Sequence, residues 1–492
     1  MSDQEVRPVV RVRYAPSPTG TLHIGGARTA LFNYLFARHT GGRFVLRVED
    51  TDQTRQIPGS EAAMMRGLKG VGALWDEGPD IADASYGPYR VSERLARHRH
   101  ACDMLLAQGL AYRCFCTPEE LAEERQVRQA QGLPPRYSGR CRSLSPEEAE
   151  RRGGGRSVVR LKVPQAGETV VHDLIRGDVR FNNGIFDDFV IMKPDYTPVY
   201  NFAVAIDDHE MGITQVIRGE EHLPNTPKQL FVMQALGFEA PQFAHLPMIL
   251  APDRTKLSKR HGATSVEEYR DQGIILPALA NYLLLLGWSS PDGREILTLD
   301  EAVELFSLER VQHTAAIYDQ KKLEWMSHQY MTRLPLGEII EMVRPFIDYP
   351  IKPQPDFKAV VALSRERAFT LVQLAQQMRF FYEAPESYEE KGVTKHFGEE
   401  APQRLGLLAE HLRALRDWNH DALLGVYDTL SETLGVKRAQ LIHPTRLAVS
   451  GRTVGPGLFE IVELLGPERV IERLQAAVSR IQEGRVKTAP QV

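Results

Sequence analysis

The stretch Arg13-Tyr14-Ala15-Pro16-Ser17-Pro18-Thr19-Gly20-Thr21-Leu22-His23-Ile24-Gly25-Gly26 constrains this chain more than any other. Around its start, Val10, Val12 and Tyr14 alternate with Arg11 and Arg13, the period of a strand; beyond it, Ala27, Ala30, Leu31, Tyr34 and Leu35 recur at helical spacing. Arg38 and His39 suit the negative end of that helix and Gly41-Gly42 its cap. Phe44, Leu46 and Val48 then alternate with Val45, Arg47 and Glu49 as a second strand. The sum is a βαβ unit with a small-residue turn, the place where such units bind nucleotides.

The turn is neither of the two common phosphate loops. Gly20 and Gly25 have Walker A spacing, but Gly26-Ala27 stands where Lys-Ser/Thr belongs, and no GxGxxG fingerprint is present. What remains is a turn whose backbone N–H groups can approach phosphate, with one imidazole, His23, able to donate to it. The missing cations lie far along the chain in Lys256-Leu257-Ser258-Lys259-Arg260. Two distant segments meeting around a triphosphate, with ammonium groups neutralising a leaving pyrophosphate, need no protein nucleophile. Glu49-Asp50-Thr51-Asp52 follows the second strand at its carboxyl end, the edge where ligands sit in an open α/β sheet.

A chain of 492 residues, 42% hydrophobic and 25% charged, divides into several domains with real cores. The start MSDQEVRP has no signal-peptide pattern, and the apolar run from Leu276 to Trp288 is short and broken by Pro277, Asn281 and Gly287, so a cytoplasmic protein without a membrane partner is expected. Four cysteines cannot form a disulfide framework here; Cys114, Cys116 and Cys141 read as a metal cluster or as chance, and Cys102 as core. A net charge of −4 excludes an indiscriminate polyanion binder but leaves room for RNA on a basic face.

Residues 60–75 and 91–110 read as helices, the second carrying Arg94, Arg97, His98, Arg99 and His100 as a solvated face. From Cys114 to Pro164 the composition turns basic and Gly/Pro-broken, like an insertion between two halves of a sheet, with strand patterns at 158–163 and 186–192. Apolar runs resume at Tyr200–Ile206, followed by Asp207-Asp208-His209 and then Thr214–Ile217, as the second half of the sheet. Beyond residue 265 helical periods dominate.

These motifs resemble a known family. His23-Ile24-Gly25-Gly26 is similar to the HIGH signature, and Lys256-Leu257-Ser258-Lys259-Arg260 to the KMSKS loop, of class I aminoacyl-tRNA synthetases. Arg13 to Gly26, Val48-Glu49-Asp50-Thr51-Asp52, Asp207-Asp208-His209, Ile217-Arg218-Gly219-Glu220-Glu221-His222 and Asn225-Thr226-Pro227-Lys228-Gln229 together resemble the bacterial glutamyl-tRNA synthetases. The resemblance implies an α/β fold: a Rossmann-type parallel-sheet catalytic domain with an inserted α/β acceptor-binding module, followed by an all-helical C-terminal anticodon-binding region. Its expected boundaries are 1–110 and 199–255 for the two catalytic halves, 111–198 for the insert, 256–330 for the KMSKS loop and stem-contact helices, and 331–492 for the anticodon-binding domain.

The implied reaction joins L-glutamate to tRNA(Glu) through a glutamyl-adenylate, with ATP as substrate, Mg²⁺ present and the tRNA bound before activation. His23, Lys256 and Lys259 would be catalytic; Thr19, Gly20, His23, Gly25, Gly26 and Lys259 would bind ATP; Arg13, Ala15, Ser17, Glu49, Tyr200 and Arg218 would bind glutamate. Glu49 suits the ammonium and the two arginines the carboxylates, without saying which arginine takes which. Arg365 and Arg367 are anticodon candidates.

Gly26 replaces the second His of the signature, as is usual in this family. Ser143 stands where some relatives have a zinc-binding His, so the ligand set for a structural Zn²⁺ becomes Cys114, Cys116, Tyr137 and Cys141. A monomer is expected. The competing readings are a glutaminyl-tRNA synthetase, a tRNA-modifying paralogue and a synthetase-like RNA-binding protein without catalysis.

Overall fold

The computed structural model describes residues 9–52, 56–81, 85–152 and 157–489, apart from the side chains of Pro146 and Lys259. Residues 1–269 with 279–319 form one unit, and residues 270–278 with 320–492 a second.

The first unit opens with the expected βαβ. Strand β1 (Arg11–Tyr14) pairs in parallel with β2 (Arg43–Leu46), Val12 beside Phe44, and helix α1 (Ile24–His39) connects them. Ile24, Ala27, Ala30, Leu31 and Leu35 are buried along α1, its last turn carries Arg38 and His39, and Gly41 takes a left-handed φ of +65° that releases the chain into β2. Helices α2 (Ser60–Gly70) and α3 (Leu95–Ala107) follow.

The solvated face expected on 91–110 is half wrong. Arg97, Arg99 and His100 are exposed, but Arg94 and His98, one helical turn apart, are buried against the Asp207 carboxylate at 2.6 and 2.9 Å. A carboxylate more than a hundred residues away is invisible to a local pattern, and it turns a charged face inward.

The basic segment contains β3 (Ala111–Cys114), α4 (Pro118–Ala130), α5 (Pro146–Arg152) and β4 (Val158–Leu161). A hairpin of β5 (Glu168–Asp173) and β6 (Gly177–Asn182) comes next, then β7 (Val190–Met192). Strands β3, β4 and β7 form an antiparallel sheet.

The run at Tyr200–Ile206 is the start of helix α6 (Tyr200–Glu210), with Phe202 through Asp208 all buried. Then come β8 (Gln215–Gly219), α7 (Thr226–Leu236) and β9 (Gln242–Leu246). The sheet order is β6-β5-β9-β8, with β5, β9 and β8 parallel and β6 antiparallel at the edge. Reciprocal bonds between Arg11 and Thr214 lay β1 beside β8, so the two parallel blocks share one edge.

Val45, Tyr89, Val171, Met211, Ile213, Val216 and Phe243 form a core between the blocks, and Leu105, Ile191, Phe202, Phe231 and Val232 a second one beneath α6 and α7.

The second unit is helical, as the periodicity requires. Its helices run from Gln320–Arg333 to Pro467–Gln482, and the latter packs along Ala401–Arg413 through Leu405, Leu408, Leu412, Val470 and Leu474. A two-residue parallel pairing, Tyr388–Glu389 with Thr488–Ala489, closes it. No helix among the described residues is long and apolar enough to cross a membrane.

Candidate active site

A cleft of about 360 Å³ opens at the carboxyl ends of β1 and β8. It collects Arg13, Ala15, Ser17, Thr19, Gly20, His23, Gly25, Gly26, Tyr200 and Arg218 from the expected set, and adds Glu221 and His222. The cation loop is tied to the same place: Ile24 N–H donates to the Thr264 carbonyl at 2.9 Å and Val266 N–H to the Leu22 carbonyl at 3.0 Å. The backbone around His23 is thereby paired with the chain just past Lys259.

Each side chain in the turn has a local reason for its placement. His23 is the N-cap of α1, and its Nδ1 accepts the Gly25 N–H at 3.1 Å. Burial, then the nearby Lys256 charge, lower its pKa below the ordinary histidine value. A neutral ring with Nδ1 used as acceptor carries its proton on Nε2, the nitrogen left to donate. Gly26 is required by packing, since a Cβ there would collide with the Tyr14 phenol oxygen. Lys256 is exposed beside the buried anchor Leu257, outside the cleft lining; the Lys259 backbone starts a 3₁₀ turn, and its side chain lies outside the described residues.

The side of the cleft lined by Arg13, Tyr200 and Arg218 rests on buried charges. Arg13 donates through Nε and Nη2 to the two oxygens of Asp208 at 3.0 and 3.1 Å. Arg47 donates to the same carboxylate at 2.7 Å and to Glu49 at 3.1 Å. Arg13 and Glu49 therefore do not pair with each other; two arginines and two carboxylates alternate in one network. Glu49 does not line the cleft, and burial pushes its pKa up while Arg47 opposes this.

Arg218 differs from these. It is 5% exposed, donates through Nε to His245 Nε2 at 3.1 Å and through Nη2 to Thr226 Oγ1 at 2.8 Å, and its buried Nη1 has no hydrogen-bond partner among the described residues. Burial lowers its pKa to about 10, which still leaves it charged at neutral pH. Tyr200 stands at the N-terminus of α6, its hydroxyl 3.3 Å from His222 Nδ1. Burial and Arg218 depress His222 to about 4, so that ring is neutral. A buried guanidinium nitrogen without a partner, on a residue that lines a polar cleft, is chemically suited to an anionic group such as a carboxylate.

Sequence reasoning missed Arg47, Asp208, His222 and His245 as parts of the site. Asp208 and His222 stood inside motifs quoted for the resemblance; nothing local marks His245.

Away from the cleft, Cys114, Cys116 and Cys141 place their sulfurs within 4.8 Å of one another, Cys116 and Cys141 at 3.8 Å. Tyr137 puts its hydroxyl 3.4 Å from the Cys114 sulfur and 4.0 Å from that of Cys116, and the Arg160 guanidinium covers its ring. Sulfurs bound tetrahedrally to zinc at about 2.3 Å lie roughly 3.8 Å apart, so this donor set fits the ion. In the second unit, Arg365 sits in a 3₁₀ turn and donates to the Leu334 carbonyl at 3.0 Å, while Arg367 is exposed at the end of that turn.

Comparison with known proteins agrees with this architecture. Residues 9–325 match the catalytic domain of class I tRNA synthetases (E and Q), and residues 338–478 an anticodon binding domain. The chain is 51% identical to glutamate–tRNA ligase 2 of Thermoanaerobacter pseudethanolicus, over 97% of this chain and 99% of the relative. It is also 51% identical to the glutamate–tRNA ligase of Moorella thermoacetica, over 96% and 99%. A crystal structure of a glutamate tRNA ligase from Elizabethkingia meningosepticum in complex with its amino acid superposes with a TM-score of 0.89 at 34% identity, covering 96% of this chain and 100% of that one. From these matches over nearly its full length, the chain belongs to the glutamate–tRNA ligase family of class I tRNA synthetases.

Proposed function

We propose that the chain attaches L-glutamate to tRNA(Glu) in two steps within this cleft. The glutamate α-carboxylate attacks the α-phosphorus of Mg²⁺-bound ATP, forming glutamyl-adenylate and releasing pyrophosphate; the terminal adenosine of the tRNA then takes the glutamyl group and AMP leaves. Neither step needs an enzyme nucleophile, so the protein contributes position and charge. His23 donates its Nε2–H to the phosphates, and Lys256 and Lys259 neutralise the charge that collects on the leaving pyrophosphate. Thr19, Gly20, Gly25 and Gly26 give ATP a close backbone approach at the positive end of α1.

Arg13 and Arg218 receive the two carboxylates of glutamate, helped by the Tyr200 hydroxyl, with Ala15 and Ser17 shaping the wall and Glu49 countering the ammonium from behind it. The observation that carries this reading is the buried, unpaired Nη1 of Arg218. Glutamine in its place would offer a neutral amide to a buried cation, a loss of about tenfold to hundredfold in kcat/KM.

Aminoacylation of purified tRNA(Glu) and tRNA(Gln) with labelled glutamate tests the reaction. Charging of tRNA(Glu) is expected; charging of neither would overturn it, and charging of tRNA(Gln) as well would widen the specificity. The same cleft at background ATP–pyrophosphate exchange, with tRNA and glutamate present, would favour an RNA-binding protein.

The cysteine cluster supports a structural Zn²⁺ held by Cys114, Cys116, Cys141 and Tyr137. Metal analysis of the purified enzyme is expected to find about one zinc per chain, and Cys141→Ser to lose it. The four cysteines, none in a disulfide, suit a reducing, cytoplasmic compartment.

A further inference from the structure

Arg218 reaches the cleft from β8, but what fixes its fork lies on two other strands. In the parallel register of β8 and β9, Arg218 is the direct partner of His245, and Asp173 ends β5 on the far side of β9. Asp173 pairs in register with Phe243, two residues before His245 on β9, and its carboxylate reaches along that strand to His245, so that Asp173, His245 and Arg218, all buried, are linked across three adjacent strands. The Asp173 carboxylate accepts from the backbone N–H groups of Ile175 at 3.0 Å, Arg176 at 2.9 Å and His245 at 3.1 Å, and its Oδ2 lies 2.6 Å from His245 Nδ1. A carboxylate saturated with N–H donors is an acceptor, so the His245 proton sits on Nδ1 and the lone pair on Nε2. That lone pair faces the Arg218 Nε–H at 3.1 Å, while Thr226 Oγ1, at the first turn of α7, holds Nη2. With Nε and Nη2 both engaged the planar guanidinium cannot rotate, and Arg218 is held in the wall of the cleft with Nη1 unpartnered among the described residues.

We propose that Asp173 and His245 are positioning residues for glutamate binding: Asp173 selects the His245 tautomer, and His245 Nε2 locks Arg218 in the orientation that receives a substrate carboxylate. The inference rests on the reading that Arg218 binds glutamate. It gives the buried His245 a task that packing alone does not require, and it links β5, which follows the basic segment, to amino-acid selection.

Two substitutions separate positioning from bulk. His245→Gln carries an amide oxygen to where Nε2 stood and keeps an acceptor for Arg218; His245→Asn reaches only to the Nδ1 position and leaves Arg218 Nε unpaired. In the full-length enzyme with saturating tRNA, His245→Asn is expected to lower kcat/KM for glutamate about tenfold or more, and His245→Gln to restore most of it. KM for ATP should stay within about twofold in both. Arg218→Ala is expected to lower kcat/KM for glutamate further still, and adding His245→Asn to it should cost nothing more, because the relay then has nothing to position. Equal impairment by Gln and Asn, or a full His245→Asn effect persisting in Arg218→Ala, overturns the relay. An Arg218→Ala enzyme with unchanged kcat/KM for glutamate instead overturns the role of Arg218 itself. Thermal unfolding of the two His245 variants should agree within a few degrees, since both lose the same ring.

Discussion

His23 combines two duties that pull in the same direction. Capping α1 uses Nδ1 as an acceptor, which commits the proton to Nε2 and makes the outward nitrogen a donor. Burial and Lys256 both disfavour a second proton, so the ring stays neutral where an ordinary histidine would begin to charge. Protonation would replace the Nδ1 lone pair with an N–H facing the Gly25 N–H. The acid limb of kcat/KM for ATP is therefore expected below the ordinary histidine value of about 6.5, read from a pH profile of tRNA-dependent ATP–pyrophosphate exchange. His23→Ala should reduce kcat about a hundredfold, as loss of one preorganised donor does, with KM for glutamate little changed. Next to it, Gly26→Ala forces a methyl group against the Tyr14 hydroxyl and should destabilise the fold by about 1–3 kcal/mol. Tyr14→Phe in the same chain removes the obstructing oxygen and should recover most of that loss in a denaturant titration. His23 was legible as a candidate from its own small-residue turn, and Arg218 only through the family motif that contains it. His245 and Asp173 were not, because their meaning depends on side-chain contacts between three strands that no spacing in the sequence encodes.

At the level of elements, the opening βαβ follows from its own residues: alternation gives the strands, apolar spacing the helix, Gly41 the exit. Helix α6 is the contrary case. Phe202, Ala203, Val204, Ala205 and Ile206 are all buried, so the run has no polar face and period alone cannot separate a helix from an interior strand. Only the tertiary position of Asp207 and Asp208, one pulling α3 and the other Arg13 and Arg47 towards the same helix, tells the two apart. These carboxylates fasten α6 between the blocks of the sheet. Burial by itself would raise the Asp207 pKa, but His98, Arg47 and Arg94 outweigh it and hold it below the ordinary value. Its stabilising contribution is thus complete above the unfolded-state pKa of about 3.9 and is lost as pH falls through the lower folded value. Asp207→Asn removes the charge on the oxygen shared by Arg94 and His98 while Arg94 keeps Glu210 at 2.6 Å, and it is expected to cost about 1–3 kcal/mol of stability at neutral pH. Urea unfolding at pH 7 and pH 3 checks both magnitude and sign: the gap between variant and parent should narrow at the lower pH.

On the scale of the whole molecule, the chemistry and the helical region reside in separate compact units, and the net charge of −4 means that an RNA partner is met by local cations rather than by a general field. Arg367 is the exposed member of the Arg365–Arg367 turn, whereas Arg365 already spends a donor on the Leu334 carbonyl. If this turn reads the anticodon, the exposed guanidinium is the one that meets a base edge or stacks on a base, and the tethered one sets the angle of the turn. Arg367→Ala should then raise KM for tRNA about tenfold, the size of one lost base contact, while KM for ATP and glutamate at saturating tRNA remain at parent values. Arg365→Ala should show a smaller rise together with a measurable loss of stability, because it also frees a carbonyl at the end of the Gln320–Arg333 helix. A change in KM for glutamate at saturating tRNA would place the effect of this turn on activation rather than on tRNA capture. Aminoacylation at varied tRNA, repeated with anticodon-substituted transcripts, decides the matter: the parent's preference for the natural base should collapse in Arg367→Ala alone.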